Sequence, residues 1–247
     1  MILERAMDGR YLSNSYVIGD RAGGVCVLLD AGTEPSELYT TIERHRLTVT
    51  HVLVTHHHAD HVFQLDAYRE RFGVPVLAHP LEAARMTGAF QPIEGGGVLE
   101  TGGLRIAALH TPGHTDGMLA FLVNGQECFT GDTLFAGSVG GVHAPGSTSF
   151  ADLRMSIMDR LMALDPAVIL NPGHVGHTTV GAEWRENAFI RLWRGLDGEG
   201  TEQCTALGKP ATLILWGDDY DGGYKAWVRW PDGSDDIVPG SRVERHA

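Results

Sequence analysis

The chain has 247 residues, enough for one large domain with at most a small appendage. Its formal charge of -12 argues against a nucleic-acid partner, because phosphate binding needs clustered Lys and Arg, and no apolar run approaches the length that spans a membrane. The three cysteines, Cys26, Cys128 and Cys204, are far apart and in no C-x-x-C pattern, which fits reduced thiols in the cytoplasm better than a disulfide framework.

The N-terminus shows no signal-type segment. Tyr11 to Ile18 and Val25 to Asp30 read as a hairpin across a Gly-rich turn, and Pro35 to Arg46 as a helix with proline at its start. Val52 to Val54 is a short buried strand. It delivers Thr55-His56-His57-His58-Ala59-Asp60-His61, which runs into a helix expected over 60–71 and stopped by Gly73. Val74 to Ala78 follows as a strand, Pro80 to Met86 as the start of a helix, and Gly95 to Gly97 as a break.

Leu104 to Leu109 reads as a strand delivering His110-Thr111-Pro112-Gly113-His114. Met118 to Val123 and Glu127 to Thr130 pair across Asn124-Gly125, a strong turn signal, and end in Gly131-Asp132. Residues 135–149 are rich in Gly, Ser and Pro and read as a loop. Phe150 to Leu164 has one apolar face and reads as a helix. Ala167 to Leu170 is a strand delivering Asn171-Pro172-Gly173-His174, and Glu183 to Leu196 an amphipathic helix. The composition then changes. Residues 197–210 read as a Gly- and Glu-rich linker after a catalytic domain of 1–196. Residues 211–247 read as a small antiparallel β unit holding three of the five Trp residues, Trp216, Trp227 and Trp230. So small a unit is expected to pack on the main body, as a packing or dimerisation element rather than as a wall of the substrate cleft.

The 55–61 stretch organises the chemistry. Imidazole nitrogen and carboxylate oxygen suit zinc and other borderline divalent metals. On an extended loop His56 and His58 point the same way, His57 points opposite and is no ligand, and Asp60 and His61 turn away and can serve a second ion. Singly, His114 and Asp132 would be read as turn residues. Their recurrence at strand ends, with His174, gives them weight, because such tips can lie on one rim. His177 competes with His174 for the last position, while His110, His143 and His177 read as exposed or packed histidines.

These segments together resemble the metallo-β-lactamase fold superfamily over roughly residues 10–195. The resemblance is carried by His56, His58, Asp60 and His61; Thr111-Pro112-Gly113-His114; Thr130-Gly131-Asp132-Thr133-Leu134-Phe135; and Pro172-Gly173-His174. It implies an α/β (α+β) fold, a four-layer αβ/βα sandwich, here with a C-terminal antiparallel β appendage. It also implies two divalent metal ions, zinc first and iron or manganese otherwise. His56, His58 and His114 would hold one ion and Asp60, His61 and His174 the other, with Asp132 bridging. A shared hydroxide would attack a carbonyl carbon, with Asp60 also managing its proton.

Asp132 in place of Cys disfavours the commonest true β-lactamases and favours the glyoxalase-II-like branch, whose members hydrolyse thioesters of small molecules. The chain departs from that branch in lacking Gly-Arg within Gly137-Ser138-Val139-Gly140-Gly141 and in having two lysines only, Lys209 and Lys225, neither in a basic C-terminal helix. The alternatives are a mononuclear iron dioxygenase of the persulfide-oxidising kind, needing His56, His114 and Asp132, or a lactonase. The expected partner is a small-molecule substrate, with a homodimer possible and neither nucleic acid nor membrane involved.

Overall fold

The computed structural model describes residues 1–246. Two six-stranded sheets face one another. The first has the order β1 (Ile2–Met7), β2 (Asn14–Gly19), β3 (Val25–Leu29), β4 (Thr48–Leu53), β5 (Val76–Ala78), β6 (Gln91–Pro92). Its first two pairings are antiparallel and the rest parallel. The second sheet runs from β7 (Val98–Thr101) through β8 (Leu104–His110), β9 (Leu119–Val123) and β10 (Glu127–Gly131). β10 pairs directly with β13 (Ile169–Pro172), which pairs with β14 (Thr178–Thr179); between β10 and β13 the chain makes a separate two-stranded hairpin, β11 (Leu134–Phe135) and β12 (Ser138–Val139).

Alternation along the strands gives each sheet two apolar faces, and each face has a partner. Tyr16, Ile18, Val27, Leu29 and Leu53 of the first sheet meet Ile106, Leu119, Phe121 and Phe129 of the second in the central layer. The outer face of the first sheet packs on α1 (Ser36–His45), α2 (Ala59–Val62) and α3 (Leu65–Phe72) through Leu38, Ile42, Val62, Leu65 and Tyr68. A short helix, α4 (Pro80–Ala83), follows β5. The outer face of the second sheet packs on α5 (Phe150–Met155), a π-helical turn at Ser156–Leu161, α6 (Val180–Glu186) and α7 (Ala188–Trp193). This is the expected αβ/βα sandwich.

Several boundaries differ from the sequence reading. The helix expected over 60–71 is broken at Phe63–Gln64 into α2 and α3. The helix expected over 150–164 widens to π geometry at Ser156, whose hydroxyl donates to the Pro112 carbonyl at 2.6 Å. The helix expected over 183–196 begins at Val180 and is split at Asn187, whose side-chain oxygen accepts from the Phe189 and Ile190 amides and starts α7. The loop at 135–149 contains most of the β11–β12 hairpin, and β1 and β7 were not anticipated.

The expected linker at 197–210 requires correction. It contains β15 (Glu202–Ala206) and the first residues of β16 (Lys209–Asp218). Its Gly and Glu content hid a strand because only Cys204 and Ala206 turn into a core. With β17 (Tyr224–Arg229), β18 (Asp235–Pro239) and β19 (Val243–Arg245) these form a five-stranded antiparallel sheet, order β18-β17-β16-β15-β19. One face, with Ile214, Trp227 and Ile237, joins the core that holds Phe189 and Trp193. The appended sheet therefore packs on the main body.

Candidate metal centre

Four strand ends bring the polar residues together. The β4–α2 loop carries His56, His58, Asp60 and His61, the loop after β8 carries His114, the end of β10 carries Asp132, and the end of β13 carries His174. Three overlapping groups of potential ligand atoms result: His56, His58 and His114; His56, His61 and Asp132; and Asp60, His61 and His174. All seven residues picked from the sequence therefore meet.

The close approach is allowed by glycine. A Cβ on Gly173 would lie 2.2 Å from Asp132 Oδ1 and 2.8 Å from His61 Cε1. A Cβ on Gly32, after β3, would lie 1.6 Å from the Asp60 carbonyl oxygen.

The outer ring nitrogens set the tautomers. His58 Nε2–H donates to the Pro145 carbonyl at 2.9 Å, His114 Nδ1–H to Gly141 at 2.8 Å and His174 Nδ1–H to Tyr11 at 3.0 Å. His61 Nδ1–H donates to Asp30 Oδ2 at 2.9 Å. Thr55 spends its hydroxyl proton on Asp30 at 2.8 Å, so it accepts from His56 Nδ1–H at 3.0 Å. Each inner nitrogen is then left with an unshared pair. His58 Nδ1 lies 3.0 Å from His56 Nε2 and 2.9 Å from His114 Nε2. Three electron pairs so close repel unless a cation sits among them. Zinc–nitrogen bonds of about 2.0–2.1 Å at tetrahedral angles would set such nitrogens about 3.3 Å apart.

Asp132 faces both sets. Its Oδ1 is 3.3 Å from His61 Nε2, and its Oδ2 is 3.1 Å from His174 Nε2 and 3.5 Å from His114 Nε2. Asp60 Oδ2 lies 3.7 Å from His61 Nε2 and 3.6 Å from His174 Nε2. His61 Nε2 and Asp132 Oδ1 are buried without a hydrogen-bond partner among the described residues, a costly state that a metal ion would relieve. The residues therefore fit divalent metal.

The proton affinities agree. Burial lowers His56, His58 and His114, the last to about 4, so these rings stay neutral and ready to coordinate. Burial opposes charge on His61 as well, yet the Asp132 and Asp30 carboxylates raise it well above the ordinary imidazole value. Burial would likewise raise Asp132, but His174 and His61 hold it well below the usual carboxylate range. This half of the site demands positive charge, from a proton or from a metal.

His57 turns away, as expected. Its backbone amide donates at 2.9 Å to the buried Glu82 carboxylate, which also contacts its ring and accepts from the Gly117 amide at 2.9 Å. His110 donates to the Asp116 carbonyl and stacks on His79, and His143 pairs with Asp236, so both stand outside the cluster. His177 is exposed.

The sequence reading missed three contributors. Asp30, in left-handed backbone at φ 55, ties the Thr55 amide, the Thr55 hydroxyl and His61. Its signal was available: a carboxylate ending an apolar strand two residues before Gly32. Glu82 had no local signal, since its partners lie 25 and 35 residues away. Tyr220, from the appended sheet, stacks on His174 with ring centroids 4.3 Å apart and planes 20° apart. Nothing in Asp218-Asp219-Tyr220-Asp221 announced that contact.

A family model described as the metallo-beta-lactamase superfamily matches residues 8–174. The chain belongs to that superfamily. Hydroxyacylglutathione hydrolase GloC of Haemophilus influenzae is 32% identical, covering 66% of this chain and 86% of its own length. Among solved structures, ETHE1 from Myxococcus xanthus is 29% identical with a TM-score of 0.70, covering 80% of this chain and 92% of its own. TTHA1623 in a di-iron-bound form is 33% identical with a TM-score of 0.65, covering 75% and 99% respectively. The chain is thus a metal-binding, hydrolase-type enzyme of the superfamily. The superfamily match stops at His174, the final residue of the cluster, well short of the appended sheet. Among the described residues no helix is long and apolar enough to cross a membrane.

Proposed function

We propose that the protein is a dinuclear metallohydrolase of thioester or related ester bonds, in the manner of glyoxalase II. His56, His58 and His114 would hold one divalent ion, Asp60, His61 and His174 the other, and Asp132 would bridge. The observation that carries this reading is the reach of the single Asp132 carboxylate, 3.5 Å or less from His61, His114 and His174. Bound divalent ions supply a strongly acidified water and polarise a carbonyl oxygen.

The chain's own groups do the rest. Asp30 fixes the ring of His61 directly and that of His56 through Thr55, so both rings are already oriented for loading. Asp60 has the most exposed carboxylate of those facing the cluster and can accept a proton from the attacking water at its free oxygen. The proton then passes to the departing sulfur or oxygen: water adds its oxygen to the acyl carbon, the acyl–sulfur bond breaks, and acid and thiol leave. Similarity to the hydroxyacylglutathione hydrolase supports the thioester class.

The similarity to ETHE1 favours examining a second reading, a mononuclear iron dioxygenase using His56, His114 and Asp132. That arrangement would leave Asp60, His61 and His174 converging without a metal of their own. Metal analysis with a panel of thioesters and lactones separates the two. About two zinc or manganese ions per chain with acyl hydrolysis supports the hydrolase, whereas one iron with oxygen uptake on a persulfide overturns it.

A further inference from the structure

The appended sheet reaches the metal cluster through the turn at 219–223, between β16 and β17. Tyr220 lies there, stacked on His174 and 4.7 Å from Phe135, centroid to centroid. Tyr220 is half-buried, with one ring face on His174.

The turn is pinned. Asp219 Oδ1 accepts from the Tyr220 amide at 2.9 Å and from the Ser138 hydroxyl at 2.9 Å. Lys225 Nζ lies 3.1 Å from the same oxygen, donates to the Val139 carbonyl at 2.5 Å, and sits over the rings of Phe135 and Tyr220 at 5.2 Å and 5.7 Å. Ser138 and Val139 form β12, the hairpin that begins two residues after Asp132. A buried lysine–aspartate pair is a poor way to add stability but a strict way to specify register, since any slip leaves a charge unpaired. The pair lies within the appended sheet, and its two outward bonds, from the Ser138 hydroxyl to Asp219 and from Lys225 to the Val139 carbonyl, fix where the sheet docks and with it the position of Tyr220. The wall so formed is aromatic, Asp219 and Asp221 flank Tyr220, and its lysine is already engaged by Asp219.

We propose that Tyr220 is a specificity-determining residue of the metal centre, stacked on His174 and forming an aromatic, acidic wall that favours a neutral apolar group on the substrate sulfur over an anionic one. The proposal rests on the dinuclear hydrolase reading for its substrate class. An aromatic contact of this kind contributes up to about tenfold in affinity. A carboxylate-bearing thiol would meet like charge on this wall.

The test uses the full chain loaded with cobalt(II). Absorption of the metal reports binding of benzyl mercaptan, neutral and aromatic, and of glutathione, which is anionic. Wild type is expected to bind benzyl mercaptan the more tightly. Tyr220→Ala should weaken benzyl mercaptan by about fivefold to tenfold and glutathione by less than about twofold, with cobalt content unchanged. Tyr220→Phe keeps the ring and should keep the wild-type ratio, which holds the test open if the alanine variant does not fold. An unchanged ratio in folded Tyr220→Ala, or a ratio lost in Tyr220→Phe, overturns the proposal. If wild type hydrolyses no thioester yet shows the predicted thiol ratios, the wall stands and the hydrolase reading falls.

Discussion

The metal rim and the C-terminal sheet are built by opposite means. At the rim, polar side chains from four strand ends crowd together, and each histidine is oriented by an oxygen on its outer nitrogen. The sheet is attached chiefly by aromatic and aliphatic packing. Trp227 lies 5.3 Å from Phe150 and 6.3 Å from Trp193, centroid to centroid. A buried ion pair within it, Lys225–Asp219, reaches across to Ser138 and Val139 and sets its register on the main body. Coordination chemistry thus dictates residue identity in the first region, whereas volume and shape dictate it in the second.

The comparison can be broken first at the rim. Asp132→Ala removes the carboxylate that faces both sets and should lower hydrolysis by roughly a thousandfold, with far-ultraviolet circular dichroism unchanged. Gly173→Ala should act in the same direction, because its Cβ would occupy the space of Asp132 Oδ1. Activity surviving both would mean that Asp132 is no bridge.

The sheet should fail differently. Trp227 is 4% exposed, and Trp227→Ala should cost about 3–5 kcal/mol of stability, measured by urea unfolding. Removal of residues 197–247 should leave an insoluble protein, since Phe189 and Trp193 would lose Ile214, Trp227 and Ile237. A soluble, folded truncation would show that the sheet is not part of the main core.

A smaller effect tests the layer behind the ligands. Asp30→Asn keeps the shape but weakens the acceptor for His61 and Thr55, and should reduce metal affinity by roughly 10–100-fold in a chelator competition.

The smallest effect is with pH. Burial lowers His114 from 6.5 to about 4, so the folded metal-free chain declines a proton that the unfolded chain accepts. Stability from this group is complete above pH 6.5 and falls as the pH drops towards about 4. His56 and His58 shift the same way, while the raised His61 opposes them. Thermal melts of the metal-free protein should therefore move down between pH 7 and pH 5. Metal uptake should release a proton from His61 and weaken as the pH falls.

All seven rim residues were legible because ligand chemistry admits few side chains and strand ends mark themselves by an apolar run followed by Gly or His. The separation of His57 from His56 and His58 was legible from backbone alternation alone. Glu82 and Tyr220 were not, because their roles come from partners distant in the chain: Gly117 for the one, His174 and Phe135 for the other. Strand β15 was hidden by a composition that suits a linker, since its pairing with β16 and β19 rather than its side chains holds it in place. The breaks at Ser156 and Asn187 were hidden because each depends on a single side-chain hydrogen-bonding choice within an otherwise continuous apolar pattern.

The central claim is that one chain presents two metal sites sharing Asp132. Elemental analysis of the purified protein after saturation with zinc and desalting tests it most directly, with His174→Ala alongside. The account predicts about two ions per chain in wild type and about one in His174→Ala, the ion on His56, His58 and His114 being retained. One ion per chain in both proteins would contradict it.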